Sequence, residues 1–361
     1  MPRAPLGLAV IGVGVMGKRH AENLVRSVPA ARVLVVADTD RERARAVANE
    51  LGVAKFTANS EEALRQPGVE AVVLASPAKF HAEGIRVAAA AGKAILCEKP
   101  LALTLAEADR ALAAVEKAGV FLQLGFMRRY DPAYAAAKER IDRGDIGEPL
   151  IFKAIGRDPK APPPSYFEAG LSGSLFLDSS IHEFDLARWL MGDEVTRVQA
   201  TGTVVACPQL AAAQDVDIGF VNLHFARGGI GNVESFRQGL YGYDIRTEVI
   251  GSKGTLQIGF YRGPVPPVWT ESTTPPDFPR HFLARFEEAY LREVQDFVGR
   301  VSRGAEPAIS GFDGRQALAI ALAAERSYRE SRILSLNEIA GSRPGARPKP
   351  EAQPAGRQRR R

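Results

Sequence analysis

The stretch LGLAVIGVGVMGKRH, Leu6 to His20, decides the fold. Its run Leu8–Val13 carries no polar residue, as a strand covered on both faces requires. It passes straight into Gly12, Gly14 and Gly17, spaced G-x-G-x-x-G, and a helical pattern follows from about 17 to 28. A strand that turns through three glycines into a helix leaves the first helical N–H groups without partners, aimed at any anion above the turn. Gly12 permits the tight turn, Gly14 lets backbone approach a pyrophosphate, and Gly17 lets the helix lie close on the sheet.

The alternation continues outward. Apolar runs at Arg32–Ala37, Ala71–Ser76, Ala94–Cys97 and Phe121–Phe126 are separated by helical patterns near 41–51, 80–91 and 104–118. Continuous apolar strands alternating with helices imply a doubly wound parallel sheet, a Rossmann domain over residues 1–126. The second strand ends on Asp38, 21 positions beyond Gly17. There a carboxylate accepts hydrogen bonds from the adenosine ribose and repels a 2′-phosphate, which favours NAD over NADP as cofactor. Arg41 and Arg43 follow closely and work against that preference. The cofactor-binding set is Gly12, Gly14, Val15, Met16, Gly17 and Asp38, with Ser76, His81, Glu98 and Lys99 further along.

From about 127 the texture changes. Helical patterns near 132–143, Gly173–Met191, 281–303 and 313–331 accompany an Ile151–Gly156 strand and long segments of alternating polarity. These segments are Val195–Ala206, Val216–Ala226, Gly231–Phe236, Ile245–Ile250 and Thr255–Ile258. Alternation implies a sheet with one covered face, so residues 127–336 read as an α+β domain with a large open sheet, mixed or antiparallel. Prolines crowd 162–164 and a loop near 264–279. Residues 337–361 form a basic tail, poor in apolar residues and expected to be disordered.

Composition narrows the function classes. The formal charge of +5 is misleading, because seven basic residues and one acidic residue from Gly341 to Arg361 give the tail +6 and leave the rest at −1. A near-neutral body has no basic face for specific nucleic-acid binding. No apolar run reaches the roughly 20 residues of a membrane span, and the N-terminal apolar run reads as a strand rather than a signal peptide. A cytoplasmic location is expected. The two cysteines and five histidines are scattered along the chain, so no metal site is expected.

Three side chains stand out as catalytic candidates. Lys99 follows a strand at the edge where open α/β sheets bind ligands. There it can donate to a substrate oxygen and stabilise alkoxide character. Asp178 and His182 are four apart, which on one helix puts them on one face, and Asp185 continues that polar stripe. Histidine suits proton transfer near neutrality.

Glu98-Lys99-Pro100, together with the glycine turn and the D-x-x-x-H of Asp178–His182, resembles the glucose-fructose oxidoreductase/inositol dehydrogenase/rhizopine-catabolism (Gfo/Idh/MocA) family over roughly residues 6–335. GFMRRYD (Gly125–Asp131), IGEPL (Ile146–Leu150), YGYDI (Tyr241–Ile245) and AYLREVQDF (Ala289–Phe297) resemble its bacterial myo-inositol 2-dehydrogenase branch in particular. The resemblance implies a substrate pocket bordered by Met127 and Arg128, with Tyr243 and Asp158 contacting a polyol alongside Lys99, Asp178 and His182. GRDP around Asp158 departs from the usual form of that segment. The family's open sheet commonly forms the subunit interface, so a homotetramer is expected.

The implied reaction is NAD-dependent oxidation of a ring hydroxyl of myo-inositol, or a related cyclic polyol, to the inosose. His182 is the expected base, held by Asp178 or by substrate hydroxyls, and Lys99 stabilises the oxygen. Other substrates (scyllo-inositol, glucose, a sugar acid) stay open, as does a non-catalytic NAD-binding regulator.

Overall fold

The computed structural model describes residues 4–161, 173–259, 269–272 and 278–340. The prolines at 162–164, most of the 264–279 loop and the tail from 341 lie outside them. The first sheet contains β1 (Leu6–Ile11), β2 (Ala31–Ala37), β3 (Phe56–Thr57), β4 (Ala71–Leu74), β5 (Ala94–Glu98) and β6 (Leu122–Gly125). Their order is β3-β2-β1-β4-β5-β6, parallel throughout. The helices α1 (Val15–Ser27), α2 (Arg41–Leu51), α3 (Ser60–Leu64), α4 (His81–Ala90) and α5 (Leu105–Ala118) connect them. The short edge strand β3 and the helix α3 carried no readable periodicity, since each spans too few residues.

The second sheet contains β7 (Pro149–Arg157), β8 (Val195–Thr203), β9 (Ile218–Phe225), β10 (Ile230–Phe236), β11 (Asp244–Gly251), β12 (Thr255–Ile258) and β13 (Leu334–Ser335). Its order is β12-β11-β7-β10-β9-β8-β13, antiparallel except for β7 beside β10. The helices here are α6 (Pro132–Asp142), α7 (Leu175–Asp178), α8 (Ile181–Met191), α9 (Phe282–Arg285), α10 (Glu287–Arg303), α11 (Gly311–Glu330) and α12 (Asn337–Ala340).

Two late helices tie the sheets together. Val294, Phe297 and Val298 of α10 return to the first sheet and pack with Leu8, Val10 and Leu24. Helix α11 lies between the sheets, and its Gly314 sits so close that a Cβ would come within 2.8 Å of Leu124. One apolar core therefore runs from Ala9 and Ile11 through α11 to Phe152 and Val233.

Two helical readings are corrected. Gly173–Met191 is not one helix: it breaks at Ser179 and Ser180, where Ser180 turns its hydroxyl onto Ser235 Oγ at 2.8 Å. The 281–303 helix likewise breaks at Phe286. Order also extends past 336. Residues Asn337–Ala340 form a helical turn, and Arg332 pairs with Glu338 at 2.8 Å.

Candidate active site

The site begins at the carboxyl edge of the first sheet. Gly12 has φ of +81°, and a Cβ there would meet Ser76 N at 2.5 Å, so the turn admits no larger residue. Ser76 is thereby placed against the turn. A Cβ on Gly17 would strike Gly12 O at 1.7 Å, whereas one on Gly14 would meet nothing within 4 Å. Helix α1 starts at Gly14 with no side chain capping it. Open space over uncapped N–H groups fits a pyrophosphate. Asp38 is buried behind the turn, accepting from Val13 N at 3.0 Å and Asp40 N at 2.9 Å. Arg43 lies 3.3 Å from it, and Arg41 is diverted onto the Phe56 ring. The carboxylate therefore orders the turn.

A cavity of about 750 Å³ adjoins this turn. Val15 and Met16 line its cofactor side, beside Glu98 and Lys99 at the end of β5. Met127 and Arg128, on the 3-10 turn after β6, line the next wall. The second sheet supplies the rest from one edge. Register pairs Arg157 with both Phe236 and Asp244, so Asp158 after β7 and Tyr243 before β11 emerge side by side. Asp178 ends α7, and His182 lies in the first turn of α8.

Within the cavity, Lys99 Nζ donates to Asp178 O at 2.7 Å and to Asp178 Oδ1 at 3.2 Å. Asp178 is thus the partner of Lys99; the expectation that it holds His182 is corrected. Burial disfavours its charge, but Lys99 and then Arg237 more than offset this and hold the carboxyl below the usual range. His182 packs its ring edge-to-face with Phe126, and its buried Nδ1 has no hydrogen-bond partner. Burial, then Lys99 and Arg128, push its pKa well below the ordinary value, so the ring is neutral at physiological pH. Asp158 accepts from Ser179 Oγ at 3.2 Å; burial and the nearby Asp178 raise its pKa to about 6.

Arg128 is buried against Glu183, with Tyr243 Oη 3.4 Å from its other nitrogen. Removing one partner of such a pair costs about 3–5 kcal/mol, because the other charge is left buried. Glu183 was not foreseen: beside His182, it looks like any helix-surface acid in sequence.

Three further expectations change. His81 is buried, with Nδ1 at 2.7 Å from Pro100 O and Nε2 at 2.7 Å from Ser76 O. Both ring nitrogens face carbonyl oxygens, and burial disfavours the charged ring, so the neutral ring donates to one of the two; it fastens the loop after β5 (where the Lys99–Pro100 peptide is cis) rather than reaching toward a cofactor. Asp185 does not share a stripe with Asp178 and His182. Because the helix breaks between them, it turns inward and takes Arg129 Nε at 2.8 Å. The histidines are not all isolated either: His20, Glu98 and Glu293 meet, their ligand atoms within 4.8 Å of one another. There His20 Nε2 and Glu98 Oε1 are already bonded at 2.7 Å, and burial, reinforced by Glu98, pushes the Glu293 carboxyl well up, so it is neutral.

Fold and site define a dinucleotide-dependent oxidoreductase of two sheets. A model of the oxidoreductase family with an NAD-binding Rossmann fold matches residues 6–126, and that of the GFO/IDH/MocA C-terminal domain matches 134–257. The chain is 41% identical to the scyllo-inositol 2-dehydrogenase (NAD(+)) of Bacillus subtilis, covering 91% of this chain and 96% of that protein. It is 38% identical to the myo-inositol 2-dehydrogenase of Thermotoga maritima, covering 92% and 99%. Among solved structures, the scyllo-inositol dehydrogenase of Lactobacillus casei with bound NAD(H) and scyllo-inositol superposes with a TM-score of 0.84, at 29% identity, covering 92% and 99%. The protein belongs to the Gfo/Idh/MocA oxidoreductase family and is an NAD-dependent enzyme. Among the described residues, no helix is long and apolar enough to cross a membrane.

Proposed function

We propose that this enzyme oxidises a ring hydroxyl of myo-inositol, or of a close cyclic polyol such as scyllo-inositol, to the corresponding inosose. The observation that carries the reading is a lysine, a neutral histidine and two carboxylates converging in one cavity beside the cofactor turn. Charged hydrogen-bonding groups in a walled cavity suit a ligand that is nearly all hydroxyl. The family resemblance and the names of the relatives point the same way.

NAD, held by the Gly12–Gly17 turn and Asp38, supplies the hydride acceptor. The protein's own contribution is position and charge. His182, neutral and lining the cavity, takes the hydroxyl proton. Lys99, fixed by Asp178, donates to the same oxygen and stabilises its developing charge. Asp158, Arg128 and Tyr243 orient the remaining hydroxyls, and Met127 borders the pocket. A regulator without activity would have no use for so costly a set of buried charges.

The enzyme acts as a homotetramer in this reading. Phe220 and Ile230 are 42% and 51% exposed on the sheet face opposite the helices, and Ile155, Phe236 and Ile250 are half-buried. These apolar side chains, interspersed with Lys153, Glu234 and Glu248 on the same face, are ones that a subunit contact would cover.

A panel of cyclic polyols, glucose and sugar acids, assayed by NADH formation, tests the substrate. The expected result is highest kcat/KM for an inositol and weaker activity on glucose. Turnover of a sugar acid alone would move the enzyme to another branch of the family.

A further inference from the structure

The largest fully buried side chain among the described residues carries a charge: Arg237 is 0% exposed. It follows β10 at the same sheet edge as Asp158 and Tyr243. Its Nη1 donates to Asp215 Oδ2 at 2.7 Å, and its Nη2 lies 3.7 Å from Asp178 Oδ2. Asp215 in turn accepts, through Oδ1, from Leu175 N at 2.9 Å, the first residue of the short helix that ends in Asp178. The two oxygens of Asp178 are thus divided between two cations, Lys99 in the cavity and Arg237 behind it.

We propose that Arg237 is a positioning residue for the proposed oxidation, keeping Asp178 ionised and turned so that it holds Lys99 against the reacting oxygen. Asp215 is the relay that ties this charge to the helix carrying Asp178. The inference deepens the polyol-oxidation reading and rests on it.

The groups facing Asp178 decide the outcome. Lys99 from β5 and Arg237 from β10 favour its charge, while Asp158 from β7 opposes it. His182 on the next helix is neutral, and Arg128 is occupied by Glu183. Without Arg237, two buried carboxylates face one lysine. Two like charges so placed do not both stay ionised, and the pair takes up a proton. A protonated Asp178 no longer fixes Lys99. A misplacement on the order of 1 Å at a reacting group costs about 10²-fold in rate.

Arg237→Met is therefore expected to lower kcat about 10²-fold and to move the acidic limb of the pH–rate profile upward, with the dissociation constant for NAD unchanged. Arg237→Lys should recover much of kcat and return the limb toward the wild-type position. Asp215→Asn separates placement from charge. It releases Arg237 toward Asp178, so the limb should stay or move down, whereas a merely structural Arg237–Asp215 pair would make Asp215→Asn resemble Arg237→Met.

NMR titration of 13C-labelled aspartate carboxyls, assigned with Asp178→Asn, reads the same proton without turnover. Arg237→Gln, also neutral but polar, keeps the experiment decisive if Arg237→Met does not fold. An Asp178 carboxyl whose titration is the same in wild type and in the folded neutral variant of Arg237 overturns the proposal. Loss of polyol oxidation in the wild type, with the carboxyl shift present, overturns the substrate reading instead.

Discussion

The two ends of the active site are built from different material. The end proposed for the cofactor is bare backbone: three glycines, an uncapped helix start and one carboxylate that takes two backbone N–H groups. The end proposed for the substrate is side chains: Lys99, Arg128, Asp158, Asp178, Glu183 and Arg237, charged groups packed around a neutral histidine. Backbone N–H dipoles do not titrate near neutral pH. A cluster of buried charges shares its protons, so each member sets the ionisation of the next. The substrate end should therefore govern pH dependence and turnover, and the cofactor end should govern nucleotide choice.

The largest effect that can break this division is at the base. His182→Ala should lower kcat by about 10²–10⁴. It should also flatten the acidic limb of the kcat profile, which lies below the ordinary histidine value because burial depresses the ring's pKa. The sign follows from that depression: as pH falls through the lowered pKa, the ring gains a proton and can no longer accept one. Asp158, titrating near 6, should shape kcat/KM through substrate binding, so its effect is distinguishable. Lys99→Met should also be severe, yet keep an acidic limb, moved upward because Lys99 no longer depresses the His182 pKa. Should Lys99→Met erase the limb and His182→Ala keep it, the roles of base and stabiliser exchange.

At the other end, Asp38→Ser removes the charge that repels a 2′-phosphate and frees Arg43. Losing charge-assisted hydrogen bonds of about 1.5–3 kcal/mol corresponds to a drop of roughly 10–10² in kcat/KM for NAD, with a gain for NADP. The pH–rate profile should not move. A shifted acidic limb in this variant would show that the two ends are not independent.

The smallest effect belongs to the chain end. A stop after Ala340 keeps the Arg332–Glu338 pair and the contact of Ile339 with the core, so Tm, activity and assembly should hardly change. A stop after Leu336 removes both and should lower Tm. Equal Tm for the two would make α12 dispensable.

The same contrast explains what the sequence revealed. The cofactor end lies within one contiguous motif, where residue type and spacing are the structure, so Gly12, Gly14, Gly17 and Asp38 could be read directly. The substrate end draws on segments up to about 140 positions apart, from Lys99 to Tyr243, and only the family resemblance brought those together. What resemblance and periodicity missed was set by tertiary contacts. Ser180 breaks a helix whose pattern looks continuous, because its hydroxyl bonds to Ser235 across the core. Arg237, in the plain context SFRQ, gave no sign that it would be buried between two aspartates. His81 looked like a ligand because histidines often are, and only the carbonyls of Ser76 and Pro100 show otherwise.

The central claim is that hydride leaves a ring carbon of an inositol for NAD while the charged cavity manages the proton. Incubation with myo-inositol deuterated at all six ring carbons, followed by mass analysis of both products, tests it most directly. Direct transfer puts one deuterium in the reduced nicotinamide and leaves five on the inosose. Inosose formed with unlabelled NADH, the deuterium having gone to water, would contradict it.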